Sequence, residues 1–280
     1  MSLLESAQPL LGVWPGDEDV LARLPNKCNE AGVVMTRKRG RPVRHIAESS
    51  DSSDGSASWA AMDFSKGSDE RYPHRMELDH VLMAVADLTT AGREIEARHG
   101  LASIEGGRHL AWGTANRIVP LGDSYLELVA ILDVVKAAES AFGRWVASAV
   151  SGTARPLGWA VRTAQLDEIA RRLDLPIHDG SRATPGGEQL RWRSAGIDQA
   201  AAEPALPFFI EWAPQTQFPG RAEVHHQAGA ARIVRLVLDA DVARLAGWLG
   251  DHHLPIVVRG GKPAVSTIVV AMDAREIVLS

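Results

Sequence analysis

The sequence predicts an α+β protein in which one strand-helix-strand-strand-strand unit is used twice, behind an N-terminal extension of different character. Three observations lead there. A first unit opens on Leu78-Asp79-His80-Val81-Leu82-Met83-Ala84-Val85 and closes on Tyr125-Leu126-Glu127-Leu128-Val129-Ala130-Ile131. A second opens on Leu157-Gly158-Trp159-Ala160-Val161 and closes on Phe208-Phe209-Ile210-Glu211-Trp212. Residues 1–75 share no such pattern, and 49–56 hold too few apolar groups to offset the entropy of ordering.

Element by element, the first unit reads as a strand at 78–85 and a helix at 88–99 with Asp87 or Thr89 as N-cap and Gly100 as its stop. Strands are expected near 109–113, 117–121 and 125–132, the last two joined by a turn at Gly122-Asp123-Ser124. One helix over 134–150 leads to the second unit: strand 157–162, helix 166–173, strands 188–194 and 207–213, with loops at 179–187 and 198–207. A third, βαβββ-like unit is expected over 231–280, with a strand at 232–238, a helix at 241–249 and strands at 256–259, 266–271 and 276–279. Its lack of an evident partner within the chain makes association plausible. The extension is expected to be mostly disordered apart from a short helix at 18–24. An over-long gene start is the alternative, since Met76 stands just before the first strand.

Composition narrows the class. A 280-residue chain that is 45% hydrophobic has material for one large or two smaller globular domains. Its net charge of -5 selects no partner, and the lone Cys28 excludes an internal disulfide framework. No apolar stretch approaches the length of a spanning helix, and the N-terminus lacks a secretory pattern, so no membrane role is expected and a cytoplasmic location is the default.

The chemistry is expected at the unit boundaries. Each closing strand is apolar on both faces except for one glutamate, and a carboxylate buried that way is costly unless a cation or strong donor meets it. Sliding one unit on the other aligns His80 with Gly158, Leu88 with Leu166 and, after a longer loop, Glu127 with Glu211. On an alternating strand His80 shares a face with Leu78, Leu82 and Ala84; a satisfied core histidine is the alternative to a ligand. One histidine and two carboxylates suit Mn²⁺, Fe²⁺, Zn²⁺ or Mg²⁺, so His80, Glu127 and Glu211 are the candidate metal ligands. His109 and Glu127 are the candidate proton-transfer groups. Asn116, Trp159, Arg182, Arg191 and Trp212 are candidates for the substrate pocket, against hairpin-shaping, core-filling or solvated roles. The pairs His225-His226 and His252-His253 chelate poorly on a strand, where neighbours face opposite ways.

Leu78-Asp79-His80-Val81, Gly107-Arg108-His109, Trp112-Gly113-Thr114-Ala115-Asn116 and Leu121-Gly122-Asp123-Ser124-Tyr125-Leu126-Glu127-Leu128 resemble the glyoxalase-like group of the vicinal oxygen chelate superfamily. Leu190-Arg191-Trp192 and Pro207-Phe208-Phe209-Ile210-Glu211-Trp212 extend the resemblance, which covers roughly 76–230 with units at 76–133 and 156–214. It implies tandem βαβββ modules on a curved mixed sheet of the glyoxalase, bleomycin-resistance and dioxygenase type, cupping a divalent metal that oxygen-rich substrates chelate. It also implies a metal-dependent enzyme of isomerase, lyase or dioxygenase type, and a possible homodimer. Gly158 departs from the pattern, because relatives with four ligands carry His or Gln there. A non-catalytic small-molecule-binding or resistance-type protein is the alternative.

Residues 36–44, Thr36-Arg37-Lys38-Arg39-Gly40-Arg41-Pro42-Val43-Arg44, are similar to an AT-hook core, which lies in A·T-rich minor grooves. Nucleic acid is therefore a further candidate partner, against a merely solvated basic stretch.

Overall fold

The computed structural model describes residues 76–150, 154–273 and 275–280. The extension over 1–75, with its basic segment 36–44 and Cys28, lies outside the described residues.

The first module runs β1 (Glu77–Ala84), α1 (Leu88–His99), β2 (Ile104–His109), β3 (Thr114–Pro120) and β4 (Tyr125–Ile131). Asp87 caps α1 by accepting from the Thr90 amide at 2.7 Å, and Gly100 ends it at φ 72°. The expected linking helix is two helices, α2 (Val134–Glu139) and α3 (Ala141–Ala149). Ser140 breaks it, because its side chain accepts from the Gly143 amide and starts a new helix there. The second module runs β5 (Arg155–Arg162), α4 (Leu166–Leu173), β6 (Ile177–Ala183), β7 (Gln189–Ala195), α5 (Ile197–Ala202) and β8 (Phe208–Trp212). The two expected loops thus hold a strand, β6, and a short helix, α5. Polar β6 carries little apolar alternation and owes its place to the edge of β7.

β1 and β5 pair antiparallel at the centre of an eight-stranded sheet ordered β2-β3-β4-β1-β5-β8-β7-β6. The sheet curls until its two edges meet, where Arg182 on β6 donates to the Gly106 carbonyl on β2. Val81, Met83, Leu128, Trp159, Val161 and Phe209 belong to the core on its outer face. On its inner face Leu82, Val129, Ala160 and Phe208 pack with Phe142, Trp145, Val146 and Ala149 of α3.

The last unit runs β9 (Ala231–Asp239), α6 (Val242–Leu249), β10 (Ile256–Arg259), β11 (Ala264–Met272) and β12 (Glu276–Leu279). Its element order matches the modules but its pairing does not. β9 lies parallel to β10 in the order β10-β9-β11-β12, whereas β1 lies parallel to the fourth strand of its module. It is therefore a four-stranded sheet of different topology, not a third copy of the module. Its apolar residues Leu236, Leu238, Ile268 and Val270 complete the outer core. No helix among the described residues is long and apolar enough to cross a membrane.

Candidate functional site

The inner face gathers its polar groups at one end. β1 carries a bulge between Leu78 and His80 against β5. The extra residue breaks the alternation, so Leu78 joins the outer core rather than the His80 face expected from period two. Asp79 and His80, adjacent in the chain, meet: His80 Nδ1 lies 2.6 Å from Asp79 Oδ1. The other Asp79 oxygen accepts from Trp212 Nε1 at 2.8 Å and lies 3.6 Å from the Arg162 guanidinium. Arg162 also pairs with Glu77 and sits over the Phe218 ring at 4.2 Å. The Tyr125 ring stacks on His80 at 4.7 Å. Burial, then the charges of Asp79 and Glu127, pushes the Tyr125 hydroxyl well above its usual range, so it stays a neutral donor.

Glu127 closes the constellation. Its Oε2 lies 3.2 Å from His80 Nε2, too poorly aligned for a hydrogen bond, so the buried Nε2 has no hydrogen-bond partner. Its Oε1 accepts from Asn116 Nδ2 at 2.6 Å, which leaves the buried Asn116 Oδ1 without a partner as well. Arg182 is 7% exposed and acts through space on Glu127 and Tyr125. Burial lowers its pKa. His109 lies nearby, its Nδ1 3.0 Å from Thr114 Oγ1, among Trp112, Phe142 and Trp192. Burial depresses its pKa to about 4, so it is neutral at pH 7.

His80, Glu127, Asn116, His109, Arg182 and Trp212 thus share the inner face. Three other candidates do not. Trp159 belongs to the outer core, its indole bonded to the Ala205 carbonyl at 3.0 Å, so it walls no pocket on the inner face. Arg191 is exposed on β7. Glu211 pairs with Arg193, whose guanidinium also takes Asp167 at 2.8 Å; these two carboxylates raise the arginine's pKa. Strand register explains why Glu211 fails to join His80. Leu82 lies opposite Glu127 on β4, and Ala160, the equivalent of Leu82 in the second module, lies opposite Phe208 on β8. The position matching Glu127 is therefore Phe208. Glu211 stands three residues on, an odd step, and so faces outward. Asp79, Tyr125, Arg162 and Phe208 were not singled out from the sequence. A bulge erases the period that would have placed Asp79, and Phe208 is visible only through register. Neither histidine pair is a metal site: His226 Nδ1 accepts from the Ala102 amide at 3.0 Å, and His252 Nδ1 from the Leu254 amide at 3.2 Å.

A family model described as a glyoxalase-like domain matches residues 78–252. The chain belongs to the glyoxalase-like domain family. A hypothetical protein from Staphylococcus aureus shares the fold, with a TM-score of 0.51 and 14% identity over 72% of this chain and 84% of that one. Methylmalonyl-CoA epimerase from Mycobacterium tuberculosis overlaps at a TM-score of 0.35, with 21% identity over 49% of this chain and 89% of its own. The Streptomyces coelicolor epimerase in complex with 2-nitronate-propionyl-CoA gives 0.36, 21%, 50% and 96%. No curated protein sequence matches.

The glyoxalase-like fold implies a divalent metal in the cup, and the residues present do not fit one. Of the four symmetry-related positions, only those of His80 and Glu127 offer donors. The other two are Gly158 and Phe208. A Cβ at Gly158 would lie 2.5 Å from the Trp145 indole, so α3 fills the place where a third ligand would begin. Among the described residues no group of three or more His, Cys, Asp or Glu side chains could hold a metal.

Proposed function

We propose that this glyoxalase-like protein is a metal-independent proton-transfer enzyme of isomerase type acting on a small oxygen-rich metabolite. The observation that supports the reading is the Asp79–His80–Glu127 line. Asp79 accepts from Nδ1 and fixes the imidazole's orientation and tautomer. The exchanging nitrogen is then Nε2, which faces Glu127 Oε2 at 3.2 Å. In this reading the Glu127 carboxylate takes a proton from a carbon beside the substrate carbonyl. Nε2 of His80 shuttles it, with Asp79 stabilising the imidazolium, and the same pair returns a proton to the neighbouring carbon. Arg182 and the neutral Tyr125 hydroxyl stabilise the enediolate that forms between the two transfers. His109, held neutral among aromatic rings and bonded to Thr114, supports the wall and carries no proton.

The test is carbon-bound hydrogen exchange in D₂O, followed by NMR over a panel of 2-oxoaldehydes and 2-hydroxy carbonyl compounds. Exchange is expected, unchanged after chelator treatment, and reduced on the order of 10²-fold or more in His80→Asn and Glu127→Gln. Exchange abolished by the chelator and restored by a divalent ion would overturn the metal-free reading. A second reading, a protein that binds a small molecule without turning it over, is favoured by α3 packed into the cup; saturable binding with no exchange would select it.

A further inference from the structure

We infer that the polar end of the cup is a binding site for a 2-hydroxycarboxylate, whose carboxylate Arg182 holds and whose hydroxyl donates to Asn116 Oδ1. The inference names the substrate class for the site proposed above and rests on that reading for what happens after binding, not for binding itself.

Two buried groups here lack the partners their chemistry calls for. Arg182 donates to the Gly106 carbonyl, yet no carboxylate among the described residues lies within ion-pair distance of it. A buried cation without a counter-ion is destabilising, and an arriving anion relieves it. Asn116 is 3% exposed and its orientation is set by Glu127, because only the amide nitrogen can donate to a carboxylate. Its Oδ1 is thereby an acceptor awaiting a donor. The two demands are close together. Asn116 Oδ1 lies against Gly106 so tightly that a Cβ there would be 2.1 Å from it, and the carbonyl of that same glycine is the one Arg182 holds. A ligand must therefore offer an anionic acceptor and an O–H donor about one bond apart. A carboxylate on C1 with a hydroxyl on C2 does so, while a plain carboxylate, an amide or an aldehyde meets one demand at most.

The rest of the lining chooses the substituent. Phe208 packs edge-on to His80 at 5.5 Å, and Trp192 lies 5.5 Å from Trp212 and 6.4 Å from His109. Such walls favour a flat apolar group on C2 over a methyl.

Titrating the full chain by tryptophan fluorescence with mandelate, phenylacetate, mandelamide and lactate tests this. Mandelate should bind at least about tenfold more tightly than phenylacetate, which lacks the hydroxyl, and than mandelamide, which lacks the charge. Lactate should be weaker than mandelate. In Arg182→Gln the mandelate and mandelamide affinities should converge; in Asn116→Ala those of mandelate and phenylacetate should. Equal affinities in the wild-type chain, or no saturable binding of any probe, overturn the inference whether or not the variants fold. His80→Asn and Glu127→Gln separate the two claims: they should retain mandelate binding while losing hydrogen exchange. Binding without exchange in the wild-type chain refutes the proposed catalysis and leaves this site standing.

Discussion

Two positions show how single residues set the character of the cup. Gly158 is glycine because of its neighbour and not its backbone angles: any side chain there starts inside the Trp145 indole. Trp145→Ala should cost about 3–5 kcal/mol in urea denaturation. Gly158→Ala should be destabilising alone and nearly neutral in the Trp145→Ala background; equal costs in both backgrounds would show that the indole is not the cause. His109 supplies a pH dependence. The folded protein keeps it neutral down to about 4, whereas the unfolded chain protonates it near 6.5. Between those values the unfolded state binds the extra proton, so stability falls as pH falls from 6.5 to 4 and is fully present above 6.5. The loss is about 3 kcal/mol, measured as a drop in urea midpoint that His109→Gln should flatten. His80 and Glu127 were legible as a pair from the sequence, because a lone polar group in an apolar strand needs a partner. Asp79 and Phe208 were not, since their roles depend on a bulge and on register.

At the scale of elements, the β1 bulge and the α2–α3 break carry the consequences. The bulge turns neighbours that would face apart into a hydrogen-bonded couple. Asp79→Asn keeps the size of that side chain but weakens its hold on Nδ1. Proton exchange should drop on the order of 10²-fold while the melting temperature moves little; an unchanged rate would remove Asp79 from the relay. Ser140 is C-cap to α2 and N-cap to α3 at once. Ser140→Ala should cost about 1 kcal/mol in thermal or urea unfolding, with the loss concentrated in hydrogen exchange of α3 amides. A helix starting there can turn Phe142, Trp145 and Val146 into the cup, which one continuous helix over 134–150 would not have done at the same angle. Hydrophobic period located most helices and strands to within a few residues, β6 and α5 apart, because period reports burial only where one face is apolar.

For the whole molecule, the last four strands are a cover and not a third module. Trp248 of α6 donates to the Pro207 carbonyl at 2.8 Å and stacks on Phe209 at 6.0 Å, while Arg172 of α4 caps the end of α6 through the Gly247 and Trp248 carbonyls at 2.7 Å each. The outer core of the large sheet runs on without a break into this unit. A chain ending at residue 230 should therefore expose a broad apolar face. It should lose its cooperative calorimetric transition and bind a hydrophobic dye; a sharp transition at the full-chain temperature would show that the two sheets are independent.

The amino-acid sequence alone determined the α+β class, the doubled βαβββ order, and a buried histidine and glutamate in need of each other, because alternation, caps and the cost of a lone buried charge act over short stretches. Only the tertiary structure decided that Phe208 stands where the second glutamate was expected, that Trp145 occupies the space at Gly158, and that Asp79 turns inward. Each depends on which residue lies opposite which across paired strands, and a shift of one position in register moves a side chain to the other face.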